Sequence, residues 1–120
     1  MAKILVVDDD IHATTLFNTL LTAKGFDTTI VNDSSTAVDI AKSTKPDLII
    51  LDLMMPEPNG FQVCKTLRRD QKFSQTPIVI FTAMGDNESK QAAFEAGANE
   101  FLTKPFRVED LMQKIRTLIG

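Results

Sequence analysis

Residues 4–10 read ILVVDDD, four apolar side chains running directly into three aspartates. The apolar half shows no alternation of polar and apolar residues. That is the pattern of a strand buried on both faces, as in a parallel sheet covered by helices. The acidic half ends the strand with like charges that repel. Two carboxylates ~4 Å apart repel by about 4 kcal/mol at an effective dielectric of 20. A helix cap needs one Asp; Asp10 fills that role, and Asp8 and Asp9 remain to be explained.

Outward from this stretch the chain alternates apolar runs with helical periodicity. Ala13, Leu16, Phe17 and Leu20 fall at i, i+3, i+4 and i+7, and Gly25 closes that helix. The spacing predicts further strands at 26–31, 48–51, 78–81 and 98–102, and helices at 34–43, 60–69, 86–96 and 108–119. Pro46 and Pro77 force extended entries into the third and fourth strands. Five βα units joined by right-handed crossovers imply an α/β fold, a doubly wound parallel sheet in a three-layer sandwich. One domain over residues 1–120 is expected at this length.

Composition narrows the function. The chain is 43% hydrophobic, which supplies an ordinary core, and carries a net charge of −3, which argues against direct nucleic-acid or anionic-membrane binding. A single cysteine, Cys64, excludes an internal disulfide and suits a reducing compartment. No apolar run reaches the ~20 residues of a membrane span, and the opening Met-Ala-Lys shows no signal-peptide pattern, so a cytoplasmic location is expected. Cys64 shares a helical face with Phe61 and Leu67 and reads as a core thiol; His12, the lone histidine, reads as a surface residue.

In open α/β sheets, sites form at the carboxyl ends of the strands. The first strand delivers Asp8, Asp9 and Asp10 there, the third Asp52, the fourth Thr82 and the fifth Lys104. The second delivers Asn32 and Asp33, read as a cap for the next helix. Clustered carboxylates call for a hard divalent cation, and magnesium needs few protein ligands. A magnesium site, a hydroxyl and an ammonium are the parts of phosphoryl transfer, and a carboxylate beside the metal can be its nucleophile.

The segments VVDDD, LIILDLMMP, IVIFTA and GANEFLTKPF, in this order along the whole chain, resemble a response-regulator receiver domain. The resemblance implies the flavodoxin-like strand order 2-1-3-4-5. It implies that Asp52 is the phosphoacceptor, taking a phosphoryl group from a sensor histidine kinase or phosphotransfer protein. Asp9 and Asp52 would ligate Mg2+ directly, Asp8 through water and Met54 by its backbone carbonyl. Thr82 would be the switch hydroxyl, with the Ala83 amide beside it, and Lys104 would grip a phosphoryl oxygen. The Lys104–Pro105 bond would be cis. Phe101 would be the switch aromatic, repacking the face of the fourth helix, fifth strand and fifth helix toward a downstream protein. The first helix would be the kinase contact, and the chain a monomer or a phosphorylation-dependent dimer. It would catalyse only its own phosphorylation and dephosphorylation.

Two departures stand out. MPEPNG carries Pro58-Asn59 where the family more often has methionine and aspartate, and Phe101 replaces the commoner tyrosine. Met54 and Met84 sit two residues after Asp52 and Thr82, where an apolar pair would restrict the attacking water and slow dephosphorylation. Three other functions fit less well. A magnesium phosphohydrolase of the haloacid-dehalogenase type would need a further acidic motif where Thr82 stands. A flavodoxin-like electron carrier would need a phosphate loop where three aspartates stand. A pure interaction module would lack Asp52, Thr82 or Lys104.

Overall fold

The computed structural model describes residues 1–83 and 85–120. Five strands and five helices alternate: β1 Lys3–Val7, α1 Ile11–Ala23, β2 Asp27–Val31, α2 Ala37–Thr44, β3 Leu48–Asp52, α3 Gly60–Arg69, β4 Ile78–Thr82, α4 Asn87–Glu95, β5 Glu100–Thr103 and α5 Val108–Ile119. The strands form one parallel sheet in the order β2-β1-β3-β4-β5. The doubly wound architecture expected from the sequence is the one present.

Successive side chains of each strand serve opposite cores. Leu5, Val7, Ile49, Leu51, Ile78 and Ile80 pack on one face with residues of α2, α3 and α4. Ile4, Val6, Leu48, Ile50, Val79 and Phe81 pack on the other with Phe17, Leu21, Leu111 and Ile115. Both faces are apolar because both are covered, which is why the strands lack alternation.

Element ends move by a residue or two, each for a hydrogen-bonding reason. The Phe26 N–H donates to Leu21 O, so β2 begins one residue later than the apolar run. The Ala98 N–H donates to Ala93 O, so Ala98 belongs to the turn after α4 and β5 starts at Glu100. The second helical segment opens as a 3-10 turn, Ser34–Thr36, before α2. Asp52 and Thr82 are the last residues of their strands rather than the first beyond them.

The predicted stripe of α1 is corrected. Its buried residues are Thr14, Phe17 and Leu21, whereas Leu16 is 51% exposed. A threonine holds the core position because its hydroxyl donates to Ile11 O (3.1 Å) and accepts from Asn32 Nδ2 (2.9 Å). A satisfied hydroxyl is cheap to bury. Gly25, with φ of +91°, ends α1 as expected. Lys45 ends α2 with φ of 52°, a role the sequence did not announce because glycine usually takes it.

Candidate functional site

Three adjacent strands, β1, β3 and β4, end at the same edge of the sheet, and the segment after β5 returns to it. Register explains the convergence: Val7 pairs with Leu51 and Asp52 with Phe81. Asp8 therefore follows β1 beside Asp52, and Thr82 lies one residue past Asp52's partner. The Lys104 N–H donates to Thr82 O at 2.8 Å, which fixes where the Lys104 side chain starts.

Asp8 is 1% and Asp52 5% exposed, while Asp9 faces solvent. One carboxylate oxygen from each of the three lies within 4.8 Å of the others. Asp8 is the most constrained: its Oδ1 accepts from the Asp10 N–H at 2.9 Å, and its Oδ2 lies 3.3 Å from Lys104 Nζ. Lys104 Nζ also stands 3.8 Å from Asp52 Oδ2. Asp52 Oδ1 accepts from the Met54 N–H at 3.2 Å.

One ammonium does not neutralise this cluster. Burial pushes the Asp52 carboxyl up to about 7, and neighbouring Asp8 pushes the same way; Lys104 and the Met54 N–H oppose them. A site whose carboxylate resists ionisation until a cation arrives is chemically suited to a hard divalent ion. The donor set is all oxygen, with at least three acid groups at one edge and Asp9 open to solvent, which fits magnesium.

The other expected residues lie as follows. Thr82 is fully buried at the end of β4, and Ala83 is exposed beside it. Phe101 is 8% exposed and packs in the core on the α4 side, paired across the ladder with Ile80. The Lys104–Pro105 peptide is cis, and so is Glu57–Pro58, which the sequence reading did not anticipate. Met54 is 58% exposed, whereas Met84 lies outside the described residues. Asp10 caps α1 by accepting from the His12 N–H, and His12 is exposed. Cys64 is a buried thiol that donates to Ala96 O.

Three supporting residues escaped the sequence reading. Asn32 does not cap a helix; its Nδ2 donates to Asp8 O at 2.9 Å and to Thr14 Oγ1, tying the acid loop to α1. Asp33 alone caps the following 3-10 turn. Asn59 caps α3 in a reciprocal box with Gln62, a spacing (N-x-x-Q) visible in the sequence. Gly60 lets α3 start against the end of β3: a Cβ there would meet the Asp52 carbonyl and lie 2.8 Å from Leu53 Cα.

Comparison with known proteins agrees with this geometry. Residues 4–116 match the model of the response regulator receiver domain. The chain is 39% identical over 119 residues to the DNA-binding dual master transcriptional regulator RpaA of Synechocystis sp., covering 99% of this chain and 49% of that protein. It is 40% identical over 114 residues to the DNA-binding response regulator MtrA of Mycolicibacterium smegmatis, covering 95% of this chain and 49% of that protein. The chain thus spans about half the length of the curated relatives it matches. Among solved structures, chemotaxis protein CheY4 of Vibrio cholerae superposes with a TM-score of 0.93 at 32% identity, covering 98% of both chains. The BeF3-activated receiver domain of Klebsiella pneumoniae RstA superposes at 0.92 with 28% identity, covering 98% of this chain and 97% of that one. With these matches and an acid cluster that fits a phosphoacceptor site, the chain belongs to the receiver domains of two-component response regulators.

Proposed function

We propose that Asp52 is the phosphoacceptor and that the chain catalyses its own phosphorylation from a phosphohistidine of a sensor histidine kinase or phosphotransfer protein. One observation carries the reading: Asp52 is buried at the end of β3, grouped with the carboxylates of Asp8 and Asp9 and 3.8 Å from Lys104. A carboxylate oxygen of Asp52 attacks phosphorus as the donor's P–N bond breaks, giving an acyl phosphate and releasing the imidazole. Asp9 and Asp52 would hold Mg2+, with Asp8 acting through water and Met54 through its backbone carbonyl. When bound, the metal neutralises charge on the transferring phosphoryl group. The Thr82 hydroxyl and Ala83 amide take one phosphoryl oxygen and Lys104 another. Asp8 remains placed to orient water because two of its partners, Lys104 and the Asp10 N–H, already fix its carboxylate.

Phosphorylation adds about 1.5–2 negative charges. Thr82 and Lys104 respond to it, and Phe101 repacks the α4–β5–α5 face toward a downstream protein or a second copy. Phe94 supports an interaction role for this face, being 41% exposed on α4. The kinase contact is α1, where Leu16 and Ile11 are exposed near the site. Met54, exposed beside Asp52, shields the acyl phosphate from water. The relatives' names describe DNA binding by proteins twice this length; the 120 residues themselves, at a net charge of −3, receive the signal without touching nucleic acid. A cytoplasmic setting follows from the kinase partnership, and among the described residues no helix is long and apolar enough to cross a membrane.

The test is intact mass after incubation with acetyl phosphate, with and without Mg2+, for wild type and Asp52→Ala. A magnesium-dependent phosphoryl adduct on wild type alone is expected. An equal adduct on the variant, or none on wild type, overturns the assignment.

A further inference from the structure

The carboxylates draw the Lys104 charge into the site and hold it from one side. Lys104 Nζ donates to Asp8 Oδ2 in a long hydrogen bond of 3.3 Å and stands 3.8 Å from Asp52 Oδ2. Lysine is a point charge on a flexible four-carbon stem, so carboxylates on one side restrain it from that side alone. A third neighbour supplies the missing constraint. Lys104 Nζ lies over the ring of Phe81, 4.9 Å from its centroid. That is within the ~6 Å at which an aromatic face attracts a cation, and the attraction strengthens when the pair is desolvated. Phe81 is 3% exposed.

The ring is held firmly. Phe17 of α1 stands at 80° to it with centroids 4.7 Å apart, and Phe106 at 84° and 5.1 Å. Phe17 and Phe106 in turn stack at 5.6 Å. Two rings from segments distant in sequence, Phe17 and Phe106, thus fix the plane of the Phe81 ring beneath one ammonium. Core filling alone does not require it: the other buried apolar residues of β4, Ile78, Val79 and Ile80, are all aliphatic. Phe81 is the aromatic exception, directly before Thr82.

We propose that Phe81 is a positioning residue for phosphoryl transfer, its ring face holding the Lys104 ammonium where it meets the incoming phosphoryl oxygen. The inference rests on the reading of Lys104 as the phosphoryl clamp. Phe81 touches neither donor nor phosphoryl group; it acts by reducing the volume through which the ammonium wanders before transfer.

The test replaces Phe81 by 4-fluoro-, 3,5-difluoro- and 3,4,5-trifluorophenylalanine, which keep the ring's shape while draining negative charge from its face. Phosphorylation by acetyl phosphate at saturating Mg2+ falls stepwise along the series, by about 3- to 10-fold overall. Melting temperatures stay constant, and the same series in a Lys104→Met background is flat. A second readout needs neither metal nor phosphate. In the metal-free protein the ring current places the Lys104 Hε resonances upfield of the other lysines, and Phe81→Leu returns them. A flat fluorination series with a slow Lys104→Met variant overturns the role of Phe81 and leaves the Lys104 reading standing. Wild-type rates for Lys104→Met overturn both.

Discussion

Arg68 Nε donates to the carbonyl of Gly97 at 2.9 Å, joining the end of α3 to the loop that precedes β5. The same guanidinium donates to Phe73 O (2.6 Å), Thr76 O (2.7 Å) and Asn99 Oδ1 (2.8 Å), and Asn99 Oδ1 also accepts from the Ile78 N–H. One planar fork therefore satisfies four oxygens on connections at the sheet edge opposite the acid cluster. Arg68→Met strands partly buried carbonyls and is expected to destabilise by about 3 kcal/mol in urea unfolding. Arg68→Lys recovers less than half of that, because an ammonium cannot reproduce the fork. Full recovery by lysine would show that charge, not geometry, is what these carbonyls need.

A metal bound by the carboxylates of the acid cluster would compete with Lys104, which already pairs with Asp8 and stands near Asp52. Lys104→Met is expected to tighten Mg2+ binding on the order of tenfold, since an ammonium about 4 Å from Asp52 no longer opposes the incoming cation. The same variant unfolds more easily without metal and regains much of that loss in millimolar Mg2+. Calorimetric titration measures the affinity. An unchanged dissociation constant would mean that Lys104 swings clear of the site before metal enters.

The raised pKa of Asp52 sets a pH dependence with a definite sign. Its carboxyl is near 3.8 in the unfolded chain and about 7 in the fold. The native state therefore holds a proton that the unfolded state has lost between those values. The stabilising contribution is complete below pH 3.8 and disappears as pH rises through about 7. Metal-free wild type should lose stability from pH 5 to 8, whereas Asp52→Asn, which cannot ionise, should stay flatter and be more stable at pH 8. Parallel urea midpoints for the two proteins across that range would refute the argument. Mg2+ at pH 8 should restore wild type and do much less for the variant.

Gly60 is required by contact, not by an unusual dihedral. Gly60→Ala places a methyl group against the backbone of Asp52 and Leu53, which cannot retreat without moving the end of β3. A loss of about 2 kcal/mol is expected, together with slower phosphorylation by acetyl phosphate because the Asp52 carboxylate is displaced. Loss of stability with an unchanged rate would show that α3 yields instead of β3.

How much of this was readable in the sequence depended on whether the partner was near or far along the chain. Strand ends carry Asp8, Asp9, Asp52, Thr82 and Lys104 to one edge because parallel βα topology does so for any such chain, and that follows from apolar runs alone. The caps at Asp10 and Asp33 are likewise local. The α1 stripe was misjudged at Thr14 because a hydroxyl is polar until its two partners are known, and one of them is Asn32, on the far side of β2. In the sequence Arg68 is one of two adjacent arginines and Phe81 the last residue of an apolar run. Their roles come from residues 29 and 31 positions away for Arg68, and from Lys104 for Phe81. Periodicity shows which face is buried; it does not show what a buried polar group will meet.

The contact between Lys104 and Asp8 spans 96 residues, which bears on the birth of the protein. A ribosome making this chain releases Asp8 a full 96 residues before Lys104. Until the segment carrying Lys104 emerges, Asp8 and Asp52 lack its ammonium, and Thr82 lacks the backbone neighbour that closes the site. A nascent chain stalled before residue 104 would display aspartates but no clamp. Competence to receive a signal therefore waits for the segment that carries Lys104, which keeps copies without it out of the circuit.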